Sequence, residues 1–470
     1  MKRREFIKSV GVTATAIALS RFGFGAQEQR RKPNIIFILI DDLGWRDLGC
    51  YGNRFHETPN IDRLAREGML FTDAYATAPV CSPTRASILT GKYPARLGIT
   101  DFIPGHQRPW AKLRVPPNLH QLPLEEVTIA EALKRAGYVS ASFGKWHLGG
   151  RKFFPDRQGF DTWVVTSGGH FYPHFKTTPK MKIHQGAYLA DVLTDWAEAF
   201  IEQNRSRPFF LYLAHYAVHI PLQARKELID KYRSKPKPEG GINNPVYAAM
   251  VEHVDRSVGR LLRKLDELNI ADCTLVIFTS DNGGLRQRFD GQGPLVTTNA
   301  PLRAEKGTLY EGGIRVPLIV RWRSVIKPNS VCHVPVCSAD FYPTILEVAG
   351  LEEEITPNID GESLMPLFMG TGGLKRNALN WHYPHYHHSS PAGAIREGDF
   401  KLIEFYEDEH LELYNLREDI SEQSNLANRM PSKATELREK LTAWRKAIGA
   451  KMPMPNPDYD PARAHEWARR

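Results

Sequence analysis

The sequence predicts an α/β protein with a doubly wound, mostly parallel central sheet and a smaller C-terminal α+β subdomain built on an antiparallel sheet. Short, continuous apolar runs recur between residues 34 and 322, and such runs are typical of parallel strands covered by helices on both faces. Segments with helical patterning separate these runs, as in a doubly wound fold. After about residue 372 the runs become short and alternating, which is typical of an antiparallel meander.

The chain has 470 residues, 42% of them hydrophobic, and a formal net charge of +9. Single cores stop growing at about 250–300 residues, so we expect more than one unit. We predict a catalytic α/β domain at residues 33–372 and a C-terminal subdomain at 373–470. The mildly basic balance suits anionic substrates. No nucleic-acid motif is present, and the mature chain has no apolar stretch long enough for stable membrane insertion.

The first 26 residues have the pattern of a signal peptide. A charged start with Arg3 and Arg4 precedes an apolar stretch at residues 10–19 and then small residues. The paired arginines followed by Phe6 are similar to a twin-arginine leader, which predicts export to the periplasm or the medium. An ordinary secretory leader is the alternative interpretation.

The five cysteines do not form the pattern of a disulfide framework or of a structural zinc site. Cys332 and Cys337 are close enough in sequence to pair, and the sequence leaves this question open.

The first predicted strand, at residues 34–40, ends in Asp41 and Asp42. The carboxyl ends of strands in an open α/β sheet face the crevice that binds ligands. Two adjacent carboxylates there repel each other unless a cation lies beside them. A pair that only caps a loop is the alternative.

A predicted helix begins at Cys81 and ends at Gly91, with Pro83 in its first turn. Backbone N–H groups and the helix dipole favour an anion at its N-terminus. Arg85 lies one turn along the same face. The pattern therefore indicates an anion-handling site, although a buried cysteine on a capped helix has the same local sequence.

Other predicted strands also end in polar residues, which predicts a single crevice. These strands span residues 138–143, 208–214 and 273–279, and the loop at residues 303–313 adds another cation. The polar residues are Lys145, His147, His215, His219, Asp281, Asn282 and Lys306.

Two further segments carry functional predictions. The proline-rich stretch at residues 94–127 is long for a loop inside a domain, and we interpret it as a substrate-facing insertion. The stretch at residues 381–388 contains four histidines and three aromatic residues. It is interpreted either as a transition-metal site or as an aromatic surface that faces sugar.

The motif Cys81-Ser82-Pro83-Thr84-Arg85, followed by Ala86-Ser87-Ile88-Leu89-Thr90-Gly91, resembles the signature of type I sulfatases. This family belongs to the alkaline phosphatase-like superfamily. Four further segments are similar to family motifs in the same order, at residues 41–42, 144–147, 280–283 and 306–313.

The resemblance implies that a maturating enzyme oxidises Cys81 to a formylglycine. It implies one Ca²⁺ ion, in preference to Mg²⁺, with ligands Asp41, Asp42, Cys81, Asp281 and Asn282. The catalytic residues that it implies are Cys81, Arg85, Lys145, His147, His219 and Lys306. We assign substrate binding to Lys145, His219, Lys306, His215 and His385.

The predicted activity is hydrolysis of sulfate esters of carbohydrates. Residues 98–105 are similar to bacterial sulfatases that act on galactose-type polysaccharides. The alternatives are a phosphonate or phosphate ester hydrolase of the same superfamily and a catalytically silent polysaccharide-binding protein. A zinc hydrolase that uses the histidine-rich stretch is a further one.

Overall fold

A central sheet of ten strands organises the protein. The computed structural model describes residues 32–354 and 358–468, so the predicted signal peptide lies outside the described residues. The strands are β1 (Asn34–Ile40), β2 (Met69–Tyr75), β3 (Leu113–Arg114), β4 (Val139–Gly144), β5 (Thr162–Gly168), β6 (Phe175–Thr178), β7 (Phe209–Ala214), β8 (Thr274–Ser280), β9 (Arg315–Arg321), β10 (Ser330–Cys332), β11 (Val336–Cys337), β12 (Ala378–Tyr383), β13 (Ala392–Glu397), β14 (Phe400–Phe405), β15 (Leu411–Asn415) and β16 (Met454–Pro455).

The helices lie between these strands and after them. They are α1 (Pro59–Arg66), α2 (Cys81–Thr90), α3 (Pro94–Leu97), α4 (Ile129–Arg135), α5 (Leu189–Gln203), α6 (Lys226–Ser234), α7 (Pro245–Glu267), α8 (Glu311–Ile314), α9 (Phe341–Val348), α10 (Met365–Met369) and α11 (Pro431–Ala447).

The strand order of the central sheet is β10-β2-β9-β8-β1-β7-β4-β5-β6, and β11 also pairs with β2. β1 lies in the middle and pairs in parallel with β7 on one side and β8 on the other. The sheet is mostly parallel, but β9 runs antiparallel to both β2 and β8, and β6 runs antiparallel to β5. The predicted mostly parallel α/β sheet is therefore confirmed.

β1 shows why the sheet is covered on both faces. Its alternate residues enter two different cores, as the period-2 geometry of a strand requires. Ile36, Ile38 and Ile40 pack with α5, α6 and α7, whereas Ile35, Phe37 and Leu39 pack with α2, α4 and α9. A strand that is buried on both faces has no solvent-facing positions, which explains the apolar run that follows Asn34 in β1.

The second sheet is antiparallel, with the order β12-β13-β14-β15. One face packs on α11 through residues such as Leu402 and Leu441. The other face packs through Trp381 and Ile403 on Tyr75 and Leu309 of the preceding chain. The predicted antiparallel C-terminal part is confirmed. The described residues from Pro33 onward form one compact unit, and the predicted boundary at residue 372 stays a prediction.

Several elements differ from the sequence-based predictions. β5 and β6 at one edge of the central sheet were missed because their exposed and buried residues do not form a continuous apolar run. α6 was also missed, because its two buried residues, Leu228 and Tyr232, lie among six polar or charged positions. Cys332 and Cys337 are both free thiols, so the open question of a disulfide is answered in the negative.

Candidate active site

The carboxyl end of β1 delivers two buried carboxylates. Asp41 and Asp42 are 0% and 1% exposed. The Asp41 N–H donates to the Ala217 carbonyl at 3.0 Å, and its carbonyl accepts from the Val218 N–H at 2.8 Å. Asp42 has a φ of 61°, a left-handed conformation that is unusual for a residue with a side chain. The backbone therefore holds both carboxylates at the end of the sheet, as the sequence pattern predicts.

Cys81 is the first residue of α2, and all ten residues of this helix are buried. Its Sγ lies 3.3 Å from Nδ1 of His147, which follows β4 and also has a positive φ, of 58°. Burial raises the pKa of the Cys81 thiol, although Lys145 and Lys306 oppose this shift. The thiol is consequently neutral at physiological pH and is a poor nucleophile as it stands.

Three cations surround the carboxylates. Arg85 contacts Asp281 through Nε at 2.9 Å and Nη2 at 2.7 Å, and its Nη1 donates to the Lys145 carbonyl at 2.8 Å. Lys145 forms an ion pair with Asp41. Lys306 contacts the two oxygens of Asp42 at 2.7 Å and 2.8 Å.

The carboxylate pKa values reflect this crowding. Burial raises the pKa of Asp41, but Lys145 and the other cations override it, so the pKa lies well below its ordinary value. Burial, together with the charge of Asp41, raises the pKa of Asp281 to about 7. The cations of the protein therefore do not balance the carboxylates evenly, and Asp281 carries the excess negative potential.

The donor set fits a hard divalent cation. Ligand atoms of Asp41, Cys81 and Asp281 all lie within 4.8 Å of one another, and so do those of Asp41, Asp42 and His219. Oδ1 of Asp41 and Oδ1 of Asn282 are buried and have no hydrogen-bond partner in the described structure. Carboxylate and amide oxygens are the ligands that Ca²⁺ and Mg²⁺ prefer.

Two histidines lie beside this cluster. The Nε2–H of His147 donates to the Ile103 carbonyl at 2.5 Å, and burial together with Lys145 lowers the pKa of His147 well below its ordinary value. Nε2 of His219 lies 3.6 Å from Asp42, and burial lowers the pKa of His219 as well. Both imidazoles are therefore neutral at pH 7.

A cavity of about 660 Å³ opens onto these groups. Five of the six predicted catalytic residues line it, together with aromatic residues from several separate segments. The lining includes Cys81, Lys145, His147, His219, Lys306, Phe102, Ile103, Pro104, His106, Tyr216, Arg288, Phe289, His387 and His388. Arg85 and the carboxylates lie behind this lining and act on it through their ion pairs.

Two of the predicted substrate-binding residues do not line the cavity. His215 is fully buried, and its Nε2 lies 3.2 Å from the Ser257 hydroxyl. His385 is 2% exposed, and its Nε2 lies 2.8 Å from the Thr100 hydroxyl. Because both imidazoles contact neighbouring hydroxyl groups outside the cavity, the structure gives neither of them a route to a substrate, and we withdraw both assignments.

Several cavity residues were missed by sequence reasoning. Phe102 and His106 belong to the proline-rich stretch that the sequence marks as substrate-facing, but no individual residue of it was selected. His387 and His388 belong to the histidine-rich stretch, from which His385 was selected instead. The sequence therefore identified the segments that line the cavity. It did not identify which of their side chains point into it, because the direction of a side chain depends on long-range packing.

An α/β sheet that presents a buried cysteine, three carboxylates and two lysines at one crevice defines a hydrolase of anionic esters. Comparison with known proteins gives the family. A family model for sulfatases matches residues 33–351, and a model for the C-terminal region of N-sulphoglucosamine sulphohydrolase matches residues 304–447. The chain belongs to the sulfatase family, within the alkaline phosphatase-like superfamily, and it is a sulfuric ester hydrolase.

Individual relatives cover most of the chain. A sulfatase of Formosa agariphila is 35% identical over an alignment of 506 positions, which covers 89% of each protein. Human N-acetylgalactosamine-6-sulfatase is 36% identical over 369 residues, which cover 74% of this chain and 68% of the relative. A crystal structure of Ps i-CgsB in complex with k-i-k-neocarrahexaose has a TM-score of 0.76 at 29% identity and covers 91% of this chain and 95% of its own.

A further solved structure was determined in complex with D-glucosamine-2-N,6-O-disulfate. It has a TM-score of 0.73 at 26% identity and covers 91% of this chain and 99% of its own. Among the residues that the structure describes, we find no helix with the length and apolarity needed to cross a membrane.

Proposed function

We propose that this protein hydrolyses sulfate esters of carbohydrates, using Cys81 after its oxidation to formylglycine by a maturating enzyme. The observation that carries the proposal is the position of Cys81. It lies at the N-terminus of α2 on the cavity wall, with ligand atoms of Asp41 and Asp281 within 4.8 Å and with Lys145 and Lys306 lining the same cavity. A thiol with a raised pKa suits a precursor better than a nucleophile.

One Ca²⁺ ion completes the proposed site. Asp41, Asp42, Asp281 and Asn282 would hold it, together with the oxidised side chain at position 81. The unpaired oxygens of Asp41 and Asn282 support this assignment, as does the excess negative potential at Asp281. When bound, the ion would neutralise carboxylate charge and polarise oxygen beside it. Hard oxygen ligands favour calcium or magnesium over zinc.

The two lysines bind the sulfate group in the proposed reaction. Lys145 and Lys306 line the cavity, and burial fails to neutralise them because Asp41 and Asp42 hold their pKa values above the ordinary range. Fixed positive charges in a buried site stabilise negative charge that develops on the sulfate oxygens and on the leaving oxygen. Arg85 holds Asp281 and the Lys145 backbone, and thereby orients the site around position 81.

The oxidised and hydrated side chain at position 81 would supply one hydroxyl that attacks sulfur and a second whose deprotonation expels sulfate. His147 accepts the second proton, because its Nδ1 lies 3.3 Å from the position 81 side-chain atom and its imidazole is neutral. The charged ammonium group of Lys306, or His219 in its protonated form, donates the proton that the leaving alcohol needs. The overall change consumes one water and releases one alcohol and one sulfate.

The substrate class rests on the cavity and on the relatives. Aromatic and imidazole rings line the cavity beside the cations, and such rings pack on the apolar faces of sugars. Relatives include N-acetylgalactosamine-6-sulfatases, and Ps i-CgsB was solved with a neocarrahexaose. We therefore propose a sulfated galactose-type saccharide as substrate. We also propose export by the twin-arginine route and a domain boundary near residue 372.

The test combines mass spectrometry with a panel of substrates. The panel contains nitrophenyl sulfate, a nitrophenyl phosphate diester and sulfated tetrasaccharides of galactan, galactosaminoglycan and glucosaminoglycan type. We expect position 81 of mature, active protein to carry the mass of an aldehyde, with sulfate released fastest from a galactose-type tetrasaccharide. Cys81→Ala should retain the fold and lose all turnover.

Three results would contradict the proposal. An unmodified thiol at position 81 in active protein would exclude the formylglycine mechanism. Faster turnover of the phosphate diester than of every sulfate would favour the phosphonate or phosphate ester hydrolase. Saccharide binding without sulfate release, unchanged by Cys81→Ala, would favour a binding protein.

A further inference from the structure

The C-terminal tail, residues 451–468, follows α11 and is not matched by either family model, which end at residues 351 and 447. It returns to the cavity side of the protein through the short strand β16 and turns at residues 457–458 and 461–465. Its strand β16 pairs antiparallel with β3, which belongs to the proline-rich stretch. The tail therefore contacts a segment that lies more than 300 residues earlier in the chain.

Hydrogen bonds join the tail to the wall loop, which we define as residues 101–112. The Asn456 N–H donates to the Lys112 carbonyl at 3.1 Å, and the Asn456 amide group donates to the carbonyls of Pro109 and Ala111, both at 2.8 Å. Further along, the tail adds a bond from the Asp460 N–H to the Trp110 carbonyl at 3.2 Å, and one from the Ala468 N–H to the Gln107 carbonyl at 2.9 Å. These hydrogen bonds join the tail to the second half of the loop, residues 107–112.

Two cation–ring contacts reinforce these hydrogen bonds. The Arg463 guanidinium of the tail lies 3.4 Å from the centre of the Trp110 ring. The Arg108 guanidinium of the wall loop lies 4.0 Å from the Trp467 ring. The contacts run in both directions, so each segment supplies one cation and one ring.

Trp467 also packs against two rings of the cavity lining. Its ring centre lies 5.1 Å from that of His106 and 5.0 Å from that of Phe289, and His106 and Phe289 are themselves 3.8 Å apart. His106 and Phe289 line the cavity, whereas Trp467 does not. We call His106 and Phe289 the ring face of the cavity.

The other end of the wall loop is held without the tail. The Ile103 N–H donates to the Ser82 hydroxyl at 3.1 Å, and the Ile103 carbonyl contacts Nε2 of His147 at 2.5 Å. The catalytic end of the loop is therefore fixed to α2 and to His147. The ring face packs on Trp467 from the side of the tail, and it also contacts Phe102 and His387.

We infer that the tail is a positioning element for saccharide binding, with Trp467 holding the ring face against a sugar ring next to the sulfated one. This inference rests on the proposed function. A small aryl sulfate needs only the cations and position 81, whereas an oligosaccharide extends to the ring face as well. Loss of Trp467 should therefore weaken binding of oligosaccharides selectively.

The experiment compares Trp467→Ala, Trp467→Phe and a control in the same tail, Tyr459→Ala, whose side chain is 45% exposed. An aromatic pair contributes about 0.5–1.5 kcal/mol, so Trp467→Ala should raise KM for the best tetrasaccharide of the panel by up to about tenfold. Its kcat, and both constants for nitrophenyl sulfate, should stay within about twofold. Trp467→Phe should restore most of the saccharide KM.

Each outcome is decisive. Equal losses on tetrasaccharide and nitrophenyl sulfate, or no loss on either, would overturn the inference and leave the proposed function intact. The same effect from Tyr459→Ala would also overturn it, because that change does not touch the ring face. A wild-type protein that releases sulfate from no member of the panel would remove the proposed function and the inference together. Thermal unfolding of each variant checks that it is folded.

Discussion

The Lys306 side chain offers a direct test of how the cavity handles anionic charge. Its Nζ contacts both oxygens of Asp42 and lines the cavity. The Lys306 ammonium and the sulfate group of a bound substrate each carry a unit charge. At a separation of about 4 Å they attract each other by about 4 kcal/mol at an effective dielectric constant of about 20. Lys306→Ala should therefore lower kcat/KM for sulfate esters by about three orders of magnitude. The sulfate already carries charge in the ground state, so part of the loss should enter KM and the fall in kcat should be smaller.

The same substitution also affects stability, and the assay must separate the two effects. Removal of one partner from a buried ion pair costs about 3–5 kcal/mol because it leaves an uncompensated charge, here on Asp42. Urea unfolding measures the loss of stability. Sulfate release is then measured without urea, at a temperature well below the thermal unfolding transition of the variant. Lys92→Ala is the matched control, since Lys92 forms an ion pair with Glu126 at 2.6 Å and does not line the cavity.

The reasoning would be refuted by a Lys306→Ala variant that is folded and keeps kcat/KM within about tenfold of the wild type. Removal of a unit charge about 4 Å from the sulfate group should cost about 4 kcal/mol, which is far more than a tenfold change. It would also be refuted if Lys92→Ala reduced kcat/KM as much as Lys306→Ala does.

Three further predictions concern stability. Asp255→Ala should lower the free energy of unfolding by about 2 kcal/mol, because the Asp255 carboxylate accepts from the Asn60 and Ile61 N–H groups at 2.9 Å and 2.8 Å at the start of α1; unchanged urea unfolding would contradict this capping role. Burial and Glu311 raise the pKa of Glu422 from 4.5 to about 7, so the unfolded state loses this proton first and wild-type stability falls as pH rises from about 4.5 to 7. Glu422→Gln, which cannot ionise, should remove a pH-dependent loss of about 3 kcal/mol, and parallel pH profiles of the two proteins in urea would refute this. Calcium at about 100 times its Kd should stabilise the wild type by about 2.7 kcal/mol. The Asn282→Ala variant should require more calcium for the same rise in Tm. No rise in the Tm of the wild type would exclude a calcium site.

The sequence was informative wherever function depends on strand ends. β1, β7 and β8 are continuous apolar runs, so their carboxyl ends could be located and their polar residues expected at one crevice. The structure brings Asp41 and Asp281 together with Cys81 at this crevice. The edge strands β5 and β6 escaped prediction because an edge is solvated, which removes the apolar run that marks a buried strand.

The sequence was less informative where direction depends on distant packing. His385 and His387 are two residues apart in the same stretch, yet His385 contacts Thr100 while His387 lines the cavity. Nothing in the local sequence distinguishes them, because both are histidines next to Tyr386 in the same short stretch. Trp467 was missed for the same reason, since its partners lie in the wall loop and beside Phe289.

The left-handed backbone at Asp42 and His147 has a consequence for attempts to make this enzyme more heat-resistant. Non-glycine residues in this conformation cost about 1–2 kcal/mol each. At position 42, glycine would relieve this strain but would also break the buried ion pair with Lys306, which costs about 3–5 kcal/mol, so a screen that selects only for survival of the fold should retain Asp42. His147 is neutral, so glycine should be enriched there, with loss of the imidazole beside position 81. Selection must therefore score catalysis in every round, because at position 147 heat resistance and catalysis favour different residues.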